Sequence, residues 1–268
     1  MGLQYNKEIQ KYGRKDAIIA LCLCAYYFGI LFLQGLLIRL GSPLPGLLLD
    51  FIVFILVLLP FFAILLWKDD LASIGLHREK LGVALRLGLV ISLLAFIVTV
   101  LPRAVGGWEL ASFNTVLSMF FLAVIVAFLE DTFFSGYLQT RIYGLIKNDV
   151  AAVLMVAFLF ALSHVPVHVG LFGVSALSVM LSGQMLFWMI FHILYNQIYR
   201  RYFSLYPVLM MHFSWNFSGS GLFYRPDDFA GFANSFVNFA YTFQSYIFAL
   251  VIGIWAIVTW QIRRKTEV

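Results

Sequence analysis

Charge is what this 268-residue sequence has least of. Asp, Glu, Lys and Arg make up 12% of it, against about 25% in an ordinary soluble domain. So few charges cannot cover a water-facing surface. With 62% of the residues hydrophobic, the solvent for most of the surface has to be lipid. Cysteine is scarce too. The two present, Cys22 and Cys24, sit two apart in one apolar run, which excludes a disulfide framework and leaves two buried thiols. Repeats and low-complexity tracts are missing. A cleavable leader is not expected either, because the first apolar run is too long and lacks a small-residue cleavage site. The terminal Lys265-Thr266-Glu267-Val268 is not a lipidation box. Asn216-Phe217-Ser218 has the form of a glycosylation sequon but falls in an apolar run, and is discounted.

What is present is a succession of apolar runs with short connections. About 20 apolar residues cross the hydrocarbon core as a helix. The runs predict spans near 17–39, 46–67, 81–101, 112–140, 150–168, 173–199, 204–222 and 233–261, the fourth and sixth long enough to tilt or protrude. The expected fold is all-α: a polytopic membrane bundle of about eight transmembrane helices, forming one domain over residues 1–268. Ser42-Pro43-Leu44-Pro45-Gly46 and Arg225-Pro226-Asp227-Asp228 read as breaks between spans.

The net charge of +5 comes from basic residues placed between apolar runs. That is a topology signal and not a nucleic-acid surface, so no nucleic-acid partner is expected. With the N-terminus inside, Lys7, Lys11, Arg14, Lys15, Lys68, Arg78, Lys80, Arg86, Arg141, Lys147, Arg200, Arg201, Arg263, Arg264 and Lys265 share the cytoplasmic side. Only Arg39, Arg103 and Arg225 fall on the other. Such a bias predicts that both termini are cytoplasmic and the number of spans even.

Polar residues inside the apolar runs need a reason, since a charge at a helix centre costs roughly 2.5–3.5 kcal/mol on insertion scales. They are Asp50, Glu130, Asp131, His164, His168, His192, His212 and Asn216. Counted from the cytoplasmic ends of their helices, Glu130, His164 and His212 lie roughly 12–21 Å deep at 1.5 Å per residue. Three helices thus carry polar groups at similar levels. His212 and Asn216 are spaced i,i+4 and share a helix face. Glu130 and Asp131 diverge by about 100° on an ideal helix, so one is expected to react and the other to support it. A carboxylate in an apolar cavity is a general base for water. One histidine can orient that water, bind a metal or shuttle a proton. A second histidine with an asparagine amide can donate to a developing oxyanion. Together these hydrolyse an amide with no serine or cysteine nucleophile. His168, His192 and Asp50 are left to helix-end, packing or hydration roles, and the aromatic stripes to lipid and interface contact.

At these residues the chain resembles the CPBP family, which includes type II CAAX prenyl proteases and bacteriocin-processing, Abi-like or immunity proteins. Glu130-Asp131-Thr132-Phe133-Phe134-Ser135-Gly136 stands where the family has two glutamates, three residues and an arginine. Phe160-Ala161-Leu162-Ser163-His164 and His212-Phe213-Ser214-Trp215-Asn216 match its second and third motifs. The motif-bearing core covers about residues 112–222. The resemblance implies an intramembrane endopeptidase, with a peptide or membrane-protein substrate, in a bacterial cell membrane. Glu130 would activate water, His164 would help hold it, and His212 and Asn216 would bind the oxyanion. Asp131, Ser135 and Phe160 would support them. The family's members are called metalloproteases, and Glu130, His164 and His212 would be the donors for a zinc ion (Zn2+) if one is used.

Two departures stand out: the second acid is Asp131, and the arginine is Ser135. Asp131 and Ser135 could still hydrogen-bond, but the positive charge is gone. Arg141 lies too near the cytoplasmic end to replace it. A catalytically silent scaffold or bacteriocin-immunity protein is therefore the competing expectation. A proton path for transport ranks third.

Overall fold

The computed structural model describes residues 3–44, 46–78, 81–105, 108–174, 185–220 and 222–224. A short helix α1 (Leu3–Ile9) precedes α2 (Arg14–Arg39), α3 (Gly46–Lys68) and α4 (Leu81–Val105). Next come α5 (Phe113–Glu130), a π-helical stretch (Asp131–Leu138) and α6 (Gln139–Ile146), which run on as one rod. α7 (Asp149–Phe172), α8 (Met185–Tyr202) and α9 (Tyr206–Ser220) complete the described helices. Two residues of strand, β1 (Glu109–Leu110), pair antiparallel with β2 (Phe223–Tyr224).

Among the described residues five helices are long and apolar enough to cross a bilayer: 14–39, 48–68, 81–101, 113–146 and 149–172. They match the first five expected spans, and the rod through α5 and α6 accounts for the unusual length of the fourth. Of the expected sixth span, residues 175–184 lie outside the described residues and α8 covers the rest. α9, in the expected seventh span, has 15 residues, about 22 Å of helix at 1.5 Å per residue. The expected span at 233–261 lies outside the described residues.

Local chemistry sets the boundaries. Ser112 and Asn148 cap α5 and α7 by accepting the amides of Thr115 (3.3 Å) and Ala151 (2.9 Å). Asp70 does the same for the 3₁₀ turn Leu71–Ile74 through Ser73 (2.8 Å). That turn closes on Gly75, whose φ of +84° suits glycine.

Three ion pairs gather one end of the bundle: Lys68–Asp16 (3.4 Å), Arg141–Asp69 (2.7 Å) and Arg200–Asp149 (2.6 Å). They join the connections that the charge bias assigns to one side. Arg141 is buried between the rings of Tyr12 (4.2 Å) and Tyr137 (4.3 Å). α1 is tucked under the same end. Its Tyr5 is fully buried against Tyr199 and Phe203, and burial pushes the phenol up to about 12, so it stays a neutral hydroxyl that accepts from Gln139 (3.2 Å).

Two helix crossings hold the interior together. α2 lies against α7 and α4 against α9. At the first, a Cβ on Gly35 would come within 2.1 Å of the Val167 carbonyl oxygen, and one on Gly170 within 2.5 Å of that of Phe32. Small residues let the two backbones touch, the usual means of packing helices in lipid.

Candidate active site

The motif residues face the inside of the bundle. Glu130 ends the regular winding of α5, and Asp131 begins the π-helical stretch. The wider winding is seen at its exit, where the Gln139 amide donates to the Phe134 carbonyl five residues back. Stretches of this kind inside α-helices recur at functional sites. Asp131, Thr132 and Ser135 are fully buried here, and the Glu130 side chain is 12% exposed.

Both acids meet one imidazole. His212 on α9 places Nδ1 3.2 Å from Asp131 Oδ2, and Nε2 3.7 Å from Glu130 Oε2. The expectation that adjacent acids diverge from a single target is resolved by the target itself, whose two nitrogens lie on different edges of the ring. The Asp131 contact is a hydrogen bond. The Glu130 separation is longer than one and is an ion-pair distance. Tyr27 on α2 reaches the other Glu130 oxygen at 3.5 Å.

His164 stands beside this group and not within it. Its Nδ1 is 3.0 Å from the Phe160 carbonyl oxygen, and its ring stacks on Trp188 at 4.0 Å. Phe160 is the link: its ring lies 5.1 Å from His164 and 6.3 Å from His212. Donation from Nδ1 to the carbonyl leaves Nε2 as an acceptor. Asn216 is half-buried, one turn beyond His212, and makes no hydrogen bond among the described residues. His168 turns back along its own helix to the His164 carbonyl (3.0 Å). Asp50 accepts from Gln34.

Asp131 and Ser135 do not pair. Asp131 Oδ2 is taken by His212, and Ser135 Oγ lies 3.4 Å from Nε2 of His192 on α8. Arg141 is committed to Asp69 and Ser73 at the end of the bundle, in keeping with its position in the sequence.

Sequence reasoning passed over α8. His192 and Tyr195 are both fully buried, and the Tyr195 ring packs 5.3 Å from His212. The Tyr195 hydroxyl, Asp131 Oδ1 and Thr132 Oγ1 are buried without a hydrogen-bond partner among the described residues. One signal was available: His192-Ile193-Leu194-Tyr195-Asn196 repeats the histidine-to-asparagine spacing of the 212–216 motif.

Among the described residues, no three His, Cys, Asp or Glu side chains converge as a metal site. His212 spends one nitrogen on Asp131, and His164 spends one on a backbone carbonyl. Such bonds leave the other nitrogen of each ring free for a ligand, but the donors named for zinc do not meet as a set of three among the described residues, and no step below is routed through a metal.

A family model described as Type II CAAX prenyl endopeptidase Rce1-like matches residues 111–218, the stretch that holds all three motifs. No curated protein and no solved structure matches the chain.

Proposed function

We propose, from the match of residues 111–218 to that family model, that the chain is a CPBP-type intramembrane endopeptidase in which Glu130 activates water. The carrying observation is the meeting of Glu130 and Asp131 on the two nitrogens of His212, inside the bundle. Glu130 takes a proton from water as the water oxygen attacks the scissile carbonyl carbon. His164, its Nδ1 tied to the Phe160 carbonyl, offers Nε2 to the second hydrogen of that water. The carbonyl electrons move onto oxygen, where the Asn216 amide and the Nε2–H of protonated His212 donate to it. Asp131 holds His212 in the orientation and charge state this needs. Glu130 then passes its proton to the departing nitrogen, and the carbon–nitrogen bond breaks.

The family description points to prenylated CAAX tails as the substrate to try first. The test is cleavage of a farnesylated CAAX peptide, beside an unprenylated apolar peptide, by the protein purified in detergent. Glu130→Ala is expected to lower turnover at least ~100-fold with folding intact, and a chelator is expected to leave wild-type turnover unchanged. Full turnover by Glu130→Ala would remove the proposal. Loss to the chelator, restored by zinc, would place the ion among Glu130, His164 and His212 after all.

Asp131 and Ser135 support a second reading, a silent relative acting as membrane scaffold or immunity protein. In that case His212→Ala keeps the protective phenotype at normal expression.

A further inference from the structure

The family's arginine is replaced by Ser135, yet the space around Ser135 is not apolar. His192 Nε2 faces its hydroxyl at 3.4 Å. Behind His192, Asn196 Nδ2 lies 3.0 Å from Nδ1. With the amide donating to Nδ1, the ring proton sits on Nε2 and points at Ser135 Oγ. The ring also stacks on Phe160 at 4.2 Å, with 23° between planes. His192 and Asn196 are fully buried. A buried imidazole in lipid needs its polar edges matched; here Asn196 matches one edge, while the other edge and the ring face meet two different parts of the site. Ser135 lies in the π-helical stretch that Asp131 opens behind Glu130. Phe160 is the residue whose carbonyl holds His164.

We propose that His192 is a positioning residue: held by Asn196, it ties the Ser135 turn to Phe160 and so sets the acids of one helix against the histidine of the next. The role rests on the hydrolytic reading above, since positioning matters only if Glu130 and His164 act on one water. Its chemistry also differs from that of an arginine at position 135. A neutral ring on a neighbouring helix replaces a charge on the same helix, and Asp131 is left to pair with His212.

The variants His192→Phe and Ser135→Ala separate this role from packing. Phenylalanine keeps the flat ring on Phe160 and removes both nitrogens. Alanine removes only the hydroxyl. On a peptide the wild type cleaves, each is expected to lower kcat roughly 10–100-fold, the scale of a small misplacement of reacting groups. KM and the thermal midpoint in detergent should hardly move. The double variant should be no slower than the slower single one, because both cut the same link. His192→Gln, which restores a donor near Nε2, should recover much of the loss. Unchanged kcat in His192→Phe, multiplied losses in the double variant, or losses that follow the thermal midpoint would each overturn the proposal.

A second readout needs no substrate. The sequence has five histidines, so their nitrogen-15 resonances can be assigned by single substitutions. Ser135→Ala should shift His192 and, through Phe160, His164. If the wild type cleaves nothing, the hydrolytic reading falls. The tether is then judged by this spectrum: a His164 signal that follows Ser135→Ala supports it, and one that stays in place overturns it.

Discussion

Glu130 and His212 meet where either one alone would be costly, since insertion scales put a lone charge at a helix centre at roughly 2.5–3.5 kcal/mol. Paired, with Asp131 on the other ring nitrogen, they form a chain of polar contacts across two helices. Among the described residues the Asn216 side-chain amide has no hydrogen-bond partner, and it is the group left to receive something new. Asn216→Ala is therefore expected to lower kcat ~10²–10³-fold, the usual loss for one oxyanion donor, with KM nearly constant. Asn216→Asp would be a further check, because a carboxylate there repels the same oxyanion. If Asn216→Ala instead raises KM at constant kcat, the residue binds substrate uniformly and does not act in the transition state. These residues were legible one by one, as polar groups at similar depth. Their pairing was not. That His212 engages both acids, and that His164 reaches the group only across Phe160, depends on ring orientation, which spacing along a helix does not specify.

At the scale of elements, the crossing of α2 and α7 positions the site, because α7 carries Phe160 and His164 while α2 supplies Tyr27. Gly35 and Gly170 set how closely the two helices approach. Adding one methyl group at either position drives a carbon into a facing carbonyl at 2.1 or 2.5 Å, and backbone cannot step aside as a side chain can. Gly35→Ala and Gly170→Ala are each expected to cost about 1–3 kcal/mol, read as a lower thermal midpoint in detergent. An unchanged midpoint in both would show that the helices do not touch there. The π-helical stretch belongs to this scale as well. The apolar pattern of residues 112–140 predicts a long helix, and a long helix is there. The change of winding at Asp131 leaves no mark on hydrophobic periodicity, nor does the periodicity show that Asp131 faces His212 while Ser135 faces His192.

For the whole molecule, the charge bias and the packing agree on which connections lie together. Lys68–Asp16, Arg141–Asp69 and Arg200–Asp149 bind the tail and three connections into one end. The two-stranded pairing of Glu109–Leu110 with Phe223–Tyr224 joins two segments that the bias assigns to the other side. In a protein with Cys22 and Cys24 changed to serine, single cysteines at Lys11 and Lys147 should be labelled by an impermeant reagent from one side of the membrane. A cysteine at Ser42 should be labelled only from the opposite side. Labelling of Lys11 and Ser42 from the same side would contradict this topology. The sequence alone determined that the chain is helical and belongs in lipid, roughly where five of its long helices run, and which polar residues inside the apolar runs need partners. Each of these follows from the energy of placing one residue type in hydrocarbon, a property local to the residue. Only the tertiary structure decided that α8 joins the site through His192 and Tyr195, and that Ser135 turns from Asp131 to His192. It also decided that the acids converge on His212. Those outcomes are set by winding, crossing distance and ring orientation, which arise only when helices far apart in sequence pack together.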